Sequence, residues 1–233
     1  MQNKLDNGQL NWSEISTVLL DMDGTILDLH FDTHFWLEYL PQYYSQHHGV
    51  SLEEAQTLLN KYFKELAGTI DWYCLDYWTE LTQIPIAVIK REVQHLIRLR
   101  DDAHEFLTAL RESNREIILV TNAHPDALSL KIERTELDKY FDELYSTHEF
   151  GVVKESQLLW ERLQAKEKFD LKNTLFVDDS LPVLNSARKY GFQHLLAIEN
   201  PDSTKEHNVF DNYTSTADFR QYTKEILATR INK

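Results

Sequence analysis

The chain has 233 residues, of which 42% are hydrophobic, and we predict a soluble globular protein with one good-sized core and a smaller inserted unit. Its formal net charge of −14 opposes binding to nucleic acid, because the phosphates of a nucleic acid attract basic surfaces. The sequence has no apolar run of membrane-spanning length, no apolar N-terminal segment and a single cysteine, Cys74, which together favour a cytoplasmic protein with no membrane partner.

The stretch TVLLDMDGTILD, residues 17–28, predicts a buried strand that ends at two carboxylates. Val18-Leu19-Leu20 lacks polar alternation, which is typical of a strand buried on both faces. Asp21 and Asp23 lie two residues apart and therefore lean to the same side, and Gly24 allows a sharp turn. Two like charges this close favour a divalent metal such as Mg²⁺, which prefers oxygen ligands. For this motif alone, an ordinary polar turn is an equally good interpretation.

Residues 31–100 have the spacing of helices, and no second strand is predicted before residue 116. Ser51 and Glu54 predict a capping box at the start of one amphipathic helix. Four residues are expected to share one face of another helix: Trp72, Tyr73, Asp76 and Tyr77. We predict that residues 31–100 form an inserted all-helical unit and that residues 1–30 and 101–233 form the core.

After Asp102 helices and strands alternate, which predicts a doubly wound parallel sheet of the α/β class. The expected strands are 116–121, 143–146, 174–177 and 194–198. The expected helices run from about 102 to 113 and over 125–140, 155–168, 182–190 and 216–228. Sheets of this kind bind ligands beyond the carboxyl ends of their strands, so the polar residues there are candidate site residues.

Polar residues follow the next three predicted strands. Thr121 and Asn122 end one strand and can offer a hydroxyl and backbone N–H groups to an anion. Lys154 follows the next strand and can place a positive charge on a phosphoryl oxygen. Asp178 and Asp179 follow the third and can serve as further metal ligands. Each alone is explained as a helix cap or a solvated charge, but their order at successive strand ends favours a site.

Four motifs in this order, DMDGT, VTNA, Lys154 and FVDDS, resemble those of the haloacid dehalogenase superfamily of aspartate-nucleophile hydrolases. The match covers about residues 17–30 and 101–199, and it implies a Rossmann-like core whose helical insert resembles the superfamily's type 1 cap. The segments FDTHFW, WYCLDYW and TNAHP are similar to those of the bacterial GMP/IMP 5′-nucleotidase subgroup. One departure is Glu155, where many relatives have proline. The acid at position 23 resembles the phosphoryl-transfer members rather than the true dehalogenases.

The resemblance implies a Mg²⁺-dependent phosphomonoesterase. Asp21 would be the nucleophile that forms an aspartyl-phosphate, and Asp23 would act as general acid and then general base. The Asp21 carboxylate and the Asp23 carbonyl would hold the ion together with the acidic pair, with Asp179 as the first choice of ligand and Asp178 as the second.

The resemblance also implies that Thr121, Asn122 and Lys154 hold the phosphoryl oxygens. The expected substrate is a purine nucleoside 5′-monophosphate, GMP or IMP. Trp72 is the candidate for stacking on the base, and a carboxylate beside it, Asp71 or Asp76, is the candidate acceptor for its N1–H.

Other functions share these motifs. The alternatives are a sugar-phosphate or phosphoglycolate phosphatase, a phosphomutase and, more remotely, a non-catalytic binding protein that would have lost Asp21 or Asp23. His30, His34 and His124 have no standard metal-ligand spacing and are interpreted as helix-end or cap residues. The sequence leaves a monomer and a homo-oligomer open.

Overall fold

The computed structural model describes residues 10–231 and contains one six-stranded sheet. The strands are β1 (Thr17–Leu20), β2 (Glu116–Thr121), β3 (Glu143–Ser146), β4 (Thr174–Asp178), β5 (His194–Ile198) and β6 (Thr214–Thr216). Their order is β3-β2-β1-β4-β5-β6, and every neighbouring pair is parallel. The strand order reverses between β1 and β4, which is the position where doubly wound sheets open a crevice for ligands. The predicted α/β fold is confirmed.

Helices flank this sheet and also make up the segment between β1 and β2. They are α1 (His30–His34), α2 (Leu40–His48), α3 (Leu52–Leu66), α4 (Ile70–Tyr73), α5 (Leu75–Thr82), α6 (Ile86–Lys90), α7 (Ala103–Glu112), α8 (Pro125–Thr135), α9 (Gln157–Glu167), α10 (Leu181–Tyr190) and α11 (Arg220–Ala228). The sheet takes no strand from residues 30–96, all of which are described, while the domain boundaries at 31 and 100 stay a prediction. Within residues 10–231, no helix combines the length and apolarity needed to cross a membrane.

The strands bury both faces, as the apolar run in β1 predicts. Val18 and Leu20 pack in one hydrophobic cluster with α7, α11 and part of the helical segment, whereas Leu19 packs in the other with α9 and α10. Neighbouring β2 alternates in the same way. Because successive side chains of a strand point to opposite faces, β1 lies at the centre of two apolar layers.

The predicted shared helix face at residues 72–77 is wrong. Trp72 and Tyr73 belong to α4, whereas Asp76 and Tyr77 belong to α5. Cys74 separates the two helices with φ −84° and ψ 108°, and its sulfur accepts a hydrogen bond from the Tyr77 N–H at 3.5 Å. The helical hydrogen-bond ladder stops there, so the i, i+4 spacing carries no meaning across this break.

Two other boundaries differ from the prediction. The helix expected over 125–140 ends at Thr135, because Glu136 adopts a left-handed conformation with φ 52°, and a short 3₁₀ helix follows at Leu137–Tyr140. The helix expected from residue 216 begins at Arg220, and Thr214–Thr216 forms the edge strand β6 instead. This strand consists of three polar residues, which give no apolar signal. The capping box is confirmed, since the Ser51 hydroxyl accepts from Glu54 N at 3.2 Å and the Glu54 carboxylate from Ser51 N at 2.8 Å.

Arg115 joins both ends of the described chain to the start of β2. Its side chain is only 2% exposed, and burial lowers its pKa. The guanidinium donates to four backbone carbonyls, those of Trp12, Ile15, Ile226 and Thr229, at 2.5–3.2 Å. The segment before β1 and the end of α11 are therefore held by one side chain.

We expect Arg115→Met to lower the free energy of unfolding by about 3 kcal/mol, because buried carbonyls would lose charge-assisted hydrogen bonds. Urea denaturation measures this change. Arg91→Met is the control, since Arg91 makes an exposed ion pair with Glu133 at 3.0 Å. Its loss should cost no more than about 0.5–1 kcal/mol. Equal midpoints for the wild type and Arg115→Met would contradict the prediction.

Candidate active site

The polar residues at the carboxyl ends of the central strands meet at one edge of the sheet. Asp21 directly follows β1, while Thr121 and Asp178 are the last residues of β2 and β4. Leu20 at the end of β1 pairs with both neighbouring strands, which brings the three ends side by side. All three polar residues line a cavity of about 370 Å³, a volume suited to a small ligand.

Lys154 places a buried ammonium between two of these carboxylates. Its Nζ donates to Asp21 Oδ1 and, at 2.7 Å, to Asp178 Oδ2. Burial opposes the charge, but the carboxylates of Asp178 and Asp21 raise the pKa of Lys154 above its ordinary value. Lys154 is therefore a fixed cation in the cavity. We call the part of the cavity lined by Asp21, Lys154, Asp178 and Asp179 its floor.

Three carboxylates crowd this floor. One oxygen from each of Asp21, Asp178 and Asp179 lies within 4.8 Å of the others. Burial raises the pKa of Asp21 to about 6, and burial together with the charges of Asp178 and Asp21 raises the pKa of Asp179 well above its usual range. Among residues 10–231, Oδ2 of Asp21 finds no hydrogen-bond partner although it is buried. A crowded, largely buried set of carboxylate oxygens fits a divalent cation such as Mg²⁺.

Gly24 makes room for this cluster. Its backbone has φ +85°, and a Cβ at this position would lie 2.6 Å from Asp179 Oδ2 and 3.0 Å from Pro201 Cβ. Any side chain here would therefore displace the Asp179 carboxylate.

The Asn122 side chain makes its hydrogen bonds to other residues of the protein. Its Oδ1 accepts from Lys154 N at 2.9 Å and from the Thr147 hydroxyl at 3.0 Å, and its Nδ2 donates to Glu155 Oε2 at 3.2 Å. The amide thus fixes the loop that carries Lys154. The predicted phosphate contact of Asn122 is then left to its backbone N–H.

Three charged residues around Asp23 were missed by the sequence reasoning. Lys131 Nζ donates to Asp23 Oδ1 and Asp32 Oδ2, both at 2.6 Å, and Lys90 Nζ donates to Asp32 Oδ1 at 2.8 Å. Burial raises the pKa of Asp23 to about 6 against the opposing charge of Lys131. The only signal in the sequence was that Asp32 lies in FDTHFW, one of the segments that carry the subgroup resemblance.

The opposite wall of the cavity is largely apolar and belongs to the helical segment: Trp36, Leu37, Trp72, Tyr73 and Leu75. Trp72 is nearly parallel to Trp36, with ring centroids 6.4 Å apart and planes at 24°, and it meets Phe63 edge-on at 5.5 Å. The predicted stacking residue Trp72 therefore does line the cavity.

Asp76, the predicted acceptor for the base, is not among the described residues that line the cavity. Its side chain is 79% exposed, and its Oδ2 lies 3.6 Å from His124 Nε2. The structure brings neither Asp71 nor Asp76 into the cavity beside Trp72: the helix is interrupted at Cys74, and Asp76 lies at an exposed position of α5.

His124 caps α8, since its Nδ1 accepts from Asp126 N at 3.3 Å, in agreement with the predicted role as a cap. One ligand atom each from His124, Cys74 and His148 lie within 4.8 Å of one another. A neutral His124 that accepts at Nδ1 carries its proton on Nε2, so a metal bound through Nε2 would have to displace this cap.

Comparisons with known proteins agree with this geometry. A family model described as haloacid dehalogenase-like hydrolase matches residues 15–191. The chain is 38% identical over 216 residues to the GMP/IMP nucleotidases YrfG of Escherichia coli (strain K12) and Shigella flexneri, which covers 93% of this chain and 97% of each relative. These matches confirm the predicted superfamily and the predicted enzyme class, a phosphatase of the haloacid dehalogenase type.

Solved structures support the fold. An HAD phosphatase from Thermococcus onnurineus has a TM-score of 0.77 at 21% identity and covers 93% of this chain and 100% of its own. The L-2-haloacid dehalogenase from Xanthobacter autotrophicus has a TM-score of 0.61 at 14% identity, with coverage of 91% and 98%. The family model spans well over half of the chain and the curated relatives are matched over nearly their whole length. The chain belongs to the haloacid dehalogenase-like hydrolase family.

Proposed function

We propose that this enzyme is a Mg²⁺-dependent 5′-nucleotidase that hydrolyses purine nucleoside 5′-monophosphates, GMP and IMP, to nucleoside and phosphate. One observation carries the reaction: Asp21 lines the cavity with one oxygen paired to Lys154 and the other without a partner among the described residues. The substrate rests on the 38% identity to two nucleotidases over nearly their full length. A sugar-phosphate or phosphoglycolate phosphatase would need the same charged floor, but the flat aromatic wall favours a base.

The free oxygen of Asp21 is the nucleophile. It attacks phosphorus, an aspartyl-phosphate forms, and the bond to the alcohol oxygen of the nucleoside breaks. Because Lys154 binds the other oxygen, the carboxylate keeps one orientation during the attack. With a pKa of about 6, Asp21 is mainly ionised at neutral pH and loses its nucleophilic charge as the pH falls below that value.

Asp23 acts first as the general acid and then as the general base. Its carboxyl lies two residues beyond the nucleophile and lines the same cavity. Burial raises its pKa to about 6, which suits a group that gives and takes a proton near neutral pH. It protonates the departing alcohol oxygen and then accepts a proton from the water that hydrolyses the aspartyl-phosphate.

Mg²⁺ would be held by the Asp21 carboxylate, the Asp23 carbonyl and one carboxylate of the pair Asp178 and Asp179 at the end of β4. Asp178 already accepts from Ser180 N at 2.8 Å and from Lys154 at 2.7 Å, which favours Asp179 as the ligand. When bound, the ion supplies positive charge that offsets the repulsion between a carboxylate and a phosphate dianion.

Donors on the same floor complete the phosphate site. The Thr121 hydroxyl, the Asn122 backbone N–H and the Lys154 ammonium belong to residues that line the cavity. They donate hydrogen bonds to the phosphoryl oxygens as negative charge shifts in the transition state. Their placement before substrate arrives avoids reorganisation during the reaction.

Asp21→Asn should abolish hydrolysis of GMP, because the change is nearly isosteric and removes the nucleophilic charge. Steady-state release of phosphate measures the loss, and mass spectrometry of acid-quenched enzyme tests for a phosphoryl group on the peptide that contains Asp21. The control is Asp101→Asn, an exposed carboxylate outside the cavity, which should keep full activity. Wild-type turnover by Asp21→Asn would rule out the covalent mechanism.

EDTA should abolish the phosphatase activity, and added Mg²⁺ should restore that activity. Mg²⁺ should also raise the melting temperature of the wild type, because it relieves the repulsion among Asp21, Asp178 and Asp179. The same titration on Asp179→Asn, which removes one charge of the cluster, should give a smaller shift. Full activity in the presence of EDTA would contradict the need for Mg²⁺. An equal rise of the melting temperature in both proteins would contradict Asp179 as a ligand.

Trp72→Ala should lower kcat/KM for GMP about tenfold or more relative to a small base-free phosphate ester, since stacking on a base is worth roughly 1–3 kcal/mol. AMP should be a poorer substrate than GMP for the wild type, because the two relatives are GMP/IMP nucleotidases. Steady-state kinetics on the three substrates give both comparisons.

Trp160→Ala is the control for Trp72→Ala. Trp160 is fully buried against Phe176 and Phe192, in the hydrophobic cluster with α9 and α10, and it is absent from the described cavity lining. Its loss should affect both substrates by the same factor. Equal losses in Trp72→Ala would make Trp72 structural, and a wild type that prefers sugar phosphates to GMP and IMP would overturn the substrate assignment.

A further inference from the structure

Asp23 is one end of a buried chain of ion pairs that crosses from the sheet side of the cavity to the helical segment. Lys131 on α8 bridges Asp23 and Asp32, at 2.6 Å each, and Lys90 at the end of α6 closes on the other oxygen of Asp32 at 2.8 Å. We call these four residues the ion-pair chain. Both lysines are only 2% exposed, and all four residues line the cavity.

Both ammonium groups are held in place by their surroundings. Lys90 Nζ lies 4.3 Å from the centre of the Phe35 ring and 4.8 Å from that of Phe31, and Lys131 Nζ lies 5.5 Å from the Phe31 ring. Such contacts with aromatic faces favour a cation at these positions. Both lysines are almost fully buried, so Lys131 has little freedom to move away from Asp23.

Stability alone does not account for four charges in this place. Taking an ion pair out of water costs several kcal/mol per ion, and replacing buried pairs with apolar residues often leaves stability unchanged. The ion-pair chain does constrain geometry. The Asp32 carboxylate binds each lysine through a different oxygen, and Lys131 in turn binds one oxygen of Asp23. The second oxygen of Asp23 is thereby given a defined direction within the cavity.

We propose that Lys131, Asp32 and Lys90 are positioning residues that aim the Asp23 carboxyl at the leaving-group oxygen. This inference rests on the proposed function, in which Asp23 protonates that oxygen. Asp32 and Lys90 come from residues 31–100, so the helical segment helps to orient the acid as well as to receive the base. The role concerns the orientation of Asp23 and is separate from the metal cluster around Asp21.

A pair of synthetic esters separates orientation of the acid from general damage. p-Nitrophenyl phosphate releases a phenolate, which leaves without needing a proton, whereas p-nitrobenzyl phosphate has nearly the same shape but releases an alkoxide that needs one. General acid catalysis typically contributes about 10²–10⁴-fold, so Lys131→Met should lower kcat/KM, which reports the step in which the alcohol leaves, about tenfold to a hundredfold more for the benzyl ester than for the phenyl ester. Asp32→Asn and Lys90→Met should show the same direction with smaller ratios.

Arg134→Met is the matched control, because Arg134 is an exposed cation on the same helix α8. It should change neither rate. Near-ultraviolet circular dichroism and the retained phenyl-ester activity establish that a variant is folded. If Lys131→Met does not fold, the double variant Asp32→Asn with Lys90→Met supplies the ratio, because it removes one buried charge of each sign and leaves Lys131 paired with Asp23.

Equal fractional losses of kcat/KM on both esters in folded variants would overturn the positioning role. An Asp23→Asn variant whose kcat/KM falls by the same factor for both esters would overturn the acid role of Asp23 and this proposal with it. A wild type that hydrolyses both esters but ignores GMP would overturn only the nucleotidase assignment, and the ester ratio would still decide the role of the chain.

Discussion

The structure depends on one constraint: carboxylates are crowded at a single edge of the sheet and must be kept there at neutral pH. Asp21, Asp178 and Asp179 place oxygens within 4.8 Å of one another in a largely buried floor. Repulsion and burial both favour their neutral forms. The ammonium of Lys154 offsets this by binding Asp21 and Asp178 together. What remains uncompensated is the free oxygen of Asp21 and the carboxylate of Asp179, and these are the groups that a cation and a phosphorus atom would engage.

The fold explains how such a cluster forms from distant parts of the chain. β1 pairs in parallel with β2 and β4, and this register aligns the carboxyl ends of the three strands. The residues at these ends therefore lie side by side at one edge of the sheet. Gly24 leaves space for Asp179, and the Asn122 amide holds the backbone of Lys154 at 2.9 Å. This cluster is thus built from the last residues of the strands and from the short hydrogen-bonded turns that follow them.

Sequence reasoning predicted this floor well because its signals are local. A strand buried on both faces is a continuous apolar run, and the polar residues that follow it mark its end, as at Asp21 and Asp178. The ion-pair chain carried no such signal, since its contacts join residues 58 to 108 positions apart. In sequence, Lys90 and Lys131 have the same pattern as solvated lysines on helix surfaces. The break at Cys74 and the edge strand at Thr214–Thr216 were also missed, because tertiary contacts rather than apolar periodicity determine them.

The helical segment contacts the site in two places. Asp32, which is paired with Lys90, binds Lys131, the partner of Asp23. The Tyr73 hydroxyl donates to Glu155, the residue after Lys154, at 3.4 Å. Its aromatic wall faces the same cavity. A substitution in this segment can therefore lower turnover through the base, the acid or the lysine loop. A loss of activity on one substrate does not tell these apart, whereas a ratio between two substrates that differ only in base or only in leaving group does. Under the proposed function, substrate choice and chemistry are coupled, because the same helices line the cavity and contact the partners of Asp23 and Lys154.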